Sequence, residues 1–378
     1  EGYAHADAYN YAADSGEGYG YASAGNDVIL GDNAGYGLVA SYDGSDLIGG
    51  DSAAVATGQY GYADADARNY AAGSGASAGN DYIEADTYHY GYGEYGEGGN
   101  DSVAGDALAK GYGAQAWTDN DAYNGASAGS DYIYTYYGSD VVAGDSLSIK
   151  TGEDDRDSTA YTYNTEYGNS RAGNDYIDVA QGNDLVAGDS AELAENGYAN
   201  AYTYNTSNSQ NGQAGNDRIY GRDGDDTMAG GSLAKGESAY AYTENEVYDG
   251  GSAGNDELHA GYGEDKFAGD SLAIKTGDYG DLIPNKTAVT YNTEYGEGGE
   301  AGSDLIYAGG DNDIGAGDSA EFATGEYGHA NAYTYNSSYG EGGQAGDDTI
   351  YGGSGNTDID SGDDTIAGGS LAKGASAY

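Results

Sequence analysis

The stretch Ala172–Ser190 reads AGNDYIDVAQGNDLVAGDS. Asp175 is followed two residues later by Ile177; nine residues after Asp175 comes Asp184, followed two residues later by Val186; five residues after Asp184 comes Asp189. Glycine and asparagine before the acids mark turns. The apolar residue between turns marks a short strand with one buried side chain. The same block recurs along the whole chain, and such recurrence is the signature of a stacked-repeat architecture. Its first acids are Asp27, Asp81, Asp131, Asp175, Asp217, Asp256, Asp304 and Asp348; its second are Asp46, Asp101, Asp140, Asp184, Asp226, Asp265, Asp313 and Asp364. The chain therefore reads as one repeat solenoid over residues 1–378, with about eight units beginning near residues 25, 79, 129, 173, 215, 254, 302 and 346. In the five units from Asp131 to Asp304 the two acids are nine residues apart; the other three carry insertions.

Two residues past the first acids lie Ile29, Ile83, Ile133, Ile177, Ile219, Leu258, Ile306 and Ile350, an unbroken aliphatic column. Past the second acids lie Ile48, Val103, Val142, Val186, Met228, Phe267 and Ile366, with Gly315 as the exception beside Ile314. A third acid column, Asp51, Asp106, Asp145, Asp189, Asp270 and Asp318, gives way to Gly231 and Gly369 in two units. The text after it cycles through DSAAVATG, DALAKG, DSLSIKTG, DSAELA, GSLAKG, DSLAIKTG, DSAEFATG and GSLAKG, so every third unit matches. Between blocks run arms such as NAYTYN at Asn200–Asn205 and Asn331–Asn336. Their period-two alternation reads as strand, with tyrosines such as Tyr202 and Tyr204 on one face and Ala, Thr and Asn on the other. Stacked arms would form tyrosine ladders with a step of about 4.8 Å.

Composition narrows the function. With 65 Asp plus Glu against 12 Lys plus Arg, the formal charge is −53, which excludes nucleic-acid binding by electrostatics and makes cations the natural partners. Leu, Ile, Val and Phe together are only about a tenth of the residues, too few to fold an acidic chain by apolar burial alone. There is no cysteine, and no run of about twenty apolar residues to span a membrane. The sequence opens at Glu1 without an initiator Met or leader, so a mature form or an internal fragment is expected.

The segments QGNDLVAGD at Gln181–Asp189 and GRDGDDTMAGG at Gly221–Gly231 resemble the GGxGxDxUx nonapeptide of the RTX, or hemolysin-type, calcium-binding family. The arms have no counterpart in that pattern. The resemblance implies an all-β, calcium-stabilised parallel β-solenoid, a β-roll or β-helix of about eight coils with tyrosine-rich strand arms, loaded with several Ca2+ ions. Carried over residue by residue, it nominates as metal ligands the pairs Asp131 and Asp140, Asp175 and Asp184, Asp217 and Asp226, Asp256 and Asp265, and Asp304 and Asp313. Asp27, Asp46, Asp81, Asp101, Asp348 and Asp364 follow from the insertion-bearing units, and Asp145, Asp189, Asp270 and Asp318 from the third column. Elementary chemistry agrees, since a hard divalent cation takes six or more oxygens, and each turn offers a carboxylate with glycine-exposed carbonyls. Without a cation, like charges would stack coil above coil at a cost on the order of 1 kcal/mol or more per pair.

Other signals are weak. His5, His89, His259 and His329 share no spacing to an acid, and GxSxG, HExxH and P-loop motifs are absent, so no enzymatic activity is expected. Lys110, Lys150, Lys235, Lys275 and Lys373 recur after the third column and read as ion-pair partners of neighbouring acids. Asn205, Asn285 and Asn336 begin N-x-S/T triplets that chance accounts for. The tyrosines read either as packing area or as an aromatic platform for carbohydrate. The expectation is an extracellular, secreted or cell-surface structural protein, the subunit of a fibre, surface coat or adhesin stalk. The broken arms at Glu1 and Tyr378 suggest head-to-tail self-association. The alternatives are an ice- or glycan-binding module, or the calcium-folding region of a secreted enzyme or toxin.

Overall fold

Alternating small and aromatic residues in the arms, and single aliphatic residues between acid turns, produce strands of two lengths in a computed structural model of the chain. The structure describes residues 3–13, 23–24, 28–30, 47–56, 62–85, 100–152, 158–194, 197–276, 288–295, 298–323, 329–339, 342–351, 365–373 and 376–377. Each coil contributes one strand to each of five eight-stranded parallel sheets. In one coil these are the long strand Ser158–Tyr167, the pair Arg171–Ala172, then Tyr176–Val179, Leu185–Ala187 and Ser190–Ala194. The next coil begins with Tyr198–Ser207, paired in register with the strand before it, Tyr161 beside Tyr202 and Asn164 beside Asn205. The arms are thus the longest sheet of the solenoid itself.

Three interiors follow from the side chains. The two aliphatic columns meet in one core, Ile83, Ile133, Ile177, Ile219, Leu258 and Ile306 against Val103, Val142, Val186, Met228 and Phe267, all fully buried. Gly315 is paired with Phe267, whose ring occupies the space a side chain at 315 would need, so the exception in the column makes room for its neighbour. A second core holds Leu108, Leu147, Leu233 and Leu272 against Ala143, Ala187, Ala229 and Ala268. Beneath the long strands the inner positions are small or polar, alanine where Ala63, Ala65 and Ala67 face Ala107 and Ala109, threonine and asparagine further along, as at Thr162 and Asn164, so the two sheets approach closely with little apolar area.

The outer positions of the long strands carry the expected ladders: Tyr161 stacks on Tyr202 at 4.7 Å between ring centroids, and Tyr291 on Tyr335 at 4.6 Å. A second ladder runs on another sheet through Tyr176, Tyr220, His259, Tyr307 and Tyr351, so His259 is one rung of an aromatic column.

The lysines divide by register. Lys150 and Lys275 sit one residue further from the turn than Lys110, Lys235 and Lys373, and in a strand one residue changes the face. Lys150 and Lys275 point to the long-strand side and are buried; Lys275 Nζ lies 2.8 Å from Glu321 Oε1. Glu192 is raised well above the usual carboxyl range by burial, a shift countered by Ser148, Ser158 and the nearby Lys150. Lys110 and Lys235 lie half-buried on the opposite face, and Lys373 is exposed.

Candidate metal centres

Among the described residues each first-column acid sits just after a turn whose glycine has a positive φ, 54° at Gly173 and Gly215. A side chain there would also collide with the carboxamide of Asn164 or Asn205. Held in this way, the acids form a relay along the axis. The backbone N–H of Asp81 donates to Asp131 Oδ1 at 2.7 Å, Asp131 to Asp175 at 2.7 Å, Asp175 to Asp217 at 2.7 Å, Asp217 to Asp256 at 2.8 Å, Asp256 to Asp304 at 2.8 Å, and Asp304 to Asp348 at 3.1 Å. The second carboxylate oxygen, Oδ2, of Asp131, Asp175, Asp217, Asp256, Asp304 and Asp348 is buried with no hydrogen-bond partner. It points at a glycine of the third turn: a Cβ on Gly144 would fall on Asp175 Oδ2 and on the Gly188 carbonyl oxygen, and one on Gly188 would fall on Asp217 Oδ2 and the Gly230 carbonyl. Orphaned carboxylate oxygens and peptide carbonyls of adjacent coils therefore converge in a cradle open only because its floor is glycine.

The second column repeats the arrangement one turn later. The N–H of Asp101 donates to Asp140, Asp140 to Asp184, Asp184 to Asp226, Asp226 to Asp265 and Asp265 to Asp313, at 2.8 to 3.0 Å. Oδ2 of Asp184, Asp226 and Asp265 has no hydrogen-bond partner. Burial pushes Asp140 up to about 7, Asp184 to about 6, Asp226 to about 8 and Asp265 to about 7, against the opposing pull of the backbone N–H.

The third column closes the first cradle from the other side. Carboxylate oxygens of Asp106, Asp131 and Asp145 lie within 4.8 Å of one another, and so do those of Asp256, Asp270 and Asp304. Burial first, and the neighbouring carboxylates after it, push Asp106, Asp131, Asp175, Asp217 and Asp304 well above the ordinary range. Asp189 and Asp270 shift the same way. Burial, then the Asp270 and Asp348 carboxylates, push Asp318 up to about 9 against the hydrogen bonds from Asn336 and Asn292.

What the sequence reading missed is the scaffold behind this column, the carboxamides of Asn10, Asn69, Asn120, Asn164, Asn205, Asn245, Asn292 and Asn336 on the inner face of the long strands. Asn164 Nδ2 donates to Asp145 Oδ2 at 3.0 Å, Asp189 Oδ1 at 2.7 Å and Asn205 Oδ1 at 3.2 Å. Asn120 does the same between Asp106, Asp145 and Asn164. The signal was present, since each of these asparagines from Asn69 on stands nine or ten residues before the turn glycine. Asn205 is fully buried, which removes its N-x-S/T triplet from the folded surface.

Of the nominated ligands, Asp27, Asp46 and Asp364 lie outside the described residues. The rest fall into the three columns, with Asp81 and Asp348, from units with insertions, joining the same relay as the regular units. A donor set of carboxylate and carbonyl oxygens, without nitrogen or sulfur, fits Ca2+ in chemistry and in charge. The bound ion would supply the positive charge that lets these carboxylates stay ionised in a dry interior.

Fold and site together define a metal-loaded parallel β-solenoid. The RTX calcium-binding nonapeptide repeat matches residues 126–146, 169–190, 205–232, 251–271, 299–319 and 343–359, so the chain carries RTX repeats, which bind Ca2+ at multiple sites. The matched segments hold acid turns of the six units from Asp131 to Asp348, leave the first two units unmatched, and omit most of each arm. No curated protein matches the chain, and no solved structure does.

Proposed function

We propose that the chain is an extracellular structural rod, the subunit of a filament, surface coat or adhesin stalk, made rigid by calcium. The observation that carries this reading is the unbroken relay from Asp81 to Asp348, in which the backbone of each coil is held by the metal-ligand carboxylate of the next. Calcium bound anywhere along the relay stiffens its neighbours, which suits a load-bearing element. Secretion fits both the RTX repeats and calcium concentrations outside the cell. Copies of the chain would associate head to tail, the outer edge of the long strand Tyr3–Ala13 in one copy pairing with that of Ala332–Ser338 in the next. Negative-stain microscopy with sedimentation tests this: calcium-dependent particles many subunits long support it, and a chain that stays monomeric at high concentration in calcium removes the filament reading.

A second reading has one specific observation behind it. A groove of about 620 Å³ runs across successive coils, lined by Tyr132, Tyr176, Arg171, Arg218, Asn174 and Asn216, a mixture of aromatic faces and polar groups suited to an extended glycan. A glycan array separates it from the first.

A further inference from the structure

We propose that the row Tyr248, Tyr295 and Tyr339 is an oxidative cross-linking site, at which a one-electron oxidant of phenols couples neighbouring rings into a dityrosine joining successive coils. The three residues lie one position past their long strands and are locked in register, the Tyr295 N–H donating to the Val247 carbonyl and the Tyr339 N–H to the Glu294 carbonyl, both at 2.8 Å. The rings stack nearly parallel, Tyr248 to Tyr295 at 5.0 Å and 13°, Tyr295 to Tyr339 at 5.6 Å and 11°. All three are open to an oxidant, being 45%, 46% and 72% exposed. Coils stack at about 4.8 Å, which keeps adjacent phenols within reach of one another; the rings must turn out of the parallel stack to bring their ortho carbons edge to edge, a freedom that their exposure allows.

A base is also in place, since the Tyr248 hydroxyl donates to Glu246 Oε2 at 2.9 Å. Each phenol gives one electron to the oxidant and loses its hydroxyl proton, that of Tyr248 passing to Glu246. The two phenoxyl radicals form one bond between ortho carbons, and the ortho hydrogens then shift to the oxygens to restore two phenols. With a haem peroxidase and hydrogen peroxide, the peroxide accepts the two electrons and two protons and leaves as two waters. The result is a covalent staple between coils, formed only where the fold holds the rings in register. The proposal rests on that register alone and is independent of what the rod carries.

The test uses the full, calcium-loaded chain at low concentration with a haem peroxidase and hydrogen peroxide, followed by proteolysis and mass spectrometry. Peptides joining Tyr248 to Tyr295, or Tyr295 to Tyr339, within one chain are expected, with dityrosine fluorescence. Y295F should remove both products while circular dichroism is unchanged, and E246Q should lower the Tyr248–Tyr295 yield several-fold. Should Y295F fail to fold, Y339F gives the same decision by removing only the Tyr295–Tyr339 product. Coupling confined to pairs on different chains or outside the row, or no coupling by a chain that keeps its circular dichroism, overturns the proposal.

Discussion

Asp184 divides its labour between its two oxygens: Oδ1 takes the N–H of Asp140, and Oδ2, without a hydrogen-bond partner, is the oxygen a bound ion would use. Replacing it with alanine removes a candidate metal ligand and orphans a buried N–H, a combination in the range of about 3–5 kcal/mol for breaking a buried charge pair. Asp184→Ala should therefore raise the calcium midpoint of folding clearly, whereas Asp249→Ala, at an exposed position, should leave it nearly unchanged; calcium titrations followed by circular dichroism compare the two. Gly144→Ala tests the cradle from the other side. Its methyl group would take the space of Asp175 Oδ2, so calcium binding should weaken although no ligand is removed.

At the scale of the element, the asparagine ladder is what allows a row of carboxylates to lie under the sheet of long strands. Asn164→Ala leaves Asp145 and Asp189 each short of a donor, at a cost of about 1–3 kcal/mol for each buried group left unsatisfied. Asn164→Asp should be worse than alanine at neutral pH, because it adds a carboxylate to the cluster, and thermal unfolding of both variants in calcium checks the order. The acid columns were legible in the sequence because each stands at a fixed distance from a turn glycine and an aliphatic residue. Asn164 and its equivalents were harder to see: they lie within arms of tyrosine and threonine whose spacing drifts between nine and ten residues. The lysines show the limit of repeat matching, since Lys110 and Lys150 look equivalent in a motif count and lie on opposite faces in register.

For the molecule as a whole, −53 charges and a thin aliphatic core make calcium part of the fold. Chelation at neutral pH should expand the chain and abolish its β-sheet circular dichroism, since ion binding supplies folding free energy. The metal-free chain should respond to acid. Its buried acids have folded pKa values above the unfolded value of about 4, so the folded state binds more protons, and the stability this contributes is present below that pH. It is lost as pH rises through about 6 at Asp184, about 7 at Asp140 and Asp265, and about 8 at Asp226. With chelator present, sheet signal should be stronger near the low end of that window than above it. Calcium affinity should run the other way, rising with pH as the ligands deprotonate.

The pairing of Lys275 with Glu321 carries a consequence for how such a rod can change length. Lys150 and Lys275 stand in units three coils apart, and each faces a following unit that carries the matching glutamate, Glu192 or Glu321. Losing the single coil that brings Glu321 would set Lys275 beside Ala372's strand and strand a cation in a dry interior. Losing three coils would restore a lysine to a glutamate. The rod therefore has a reading frame, and its length can drift by recombination only in steps of a triplet, about 14 Å at a time.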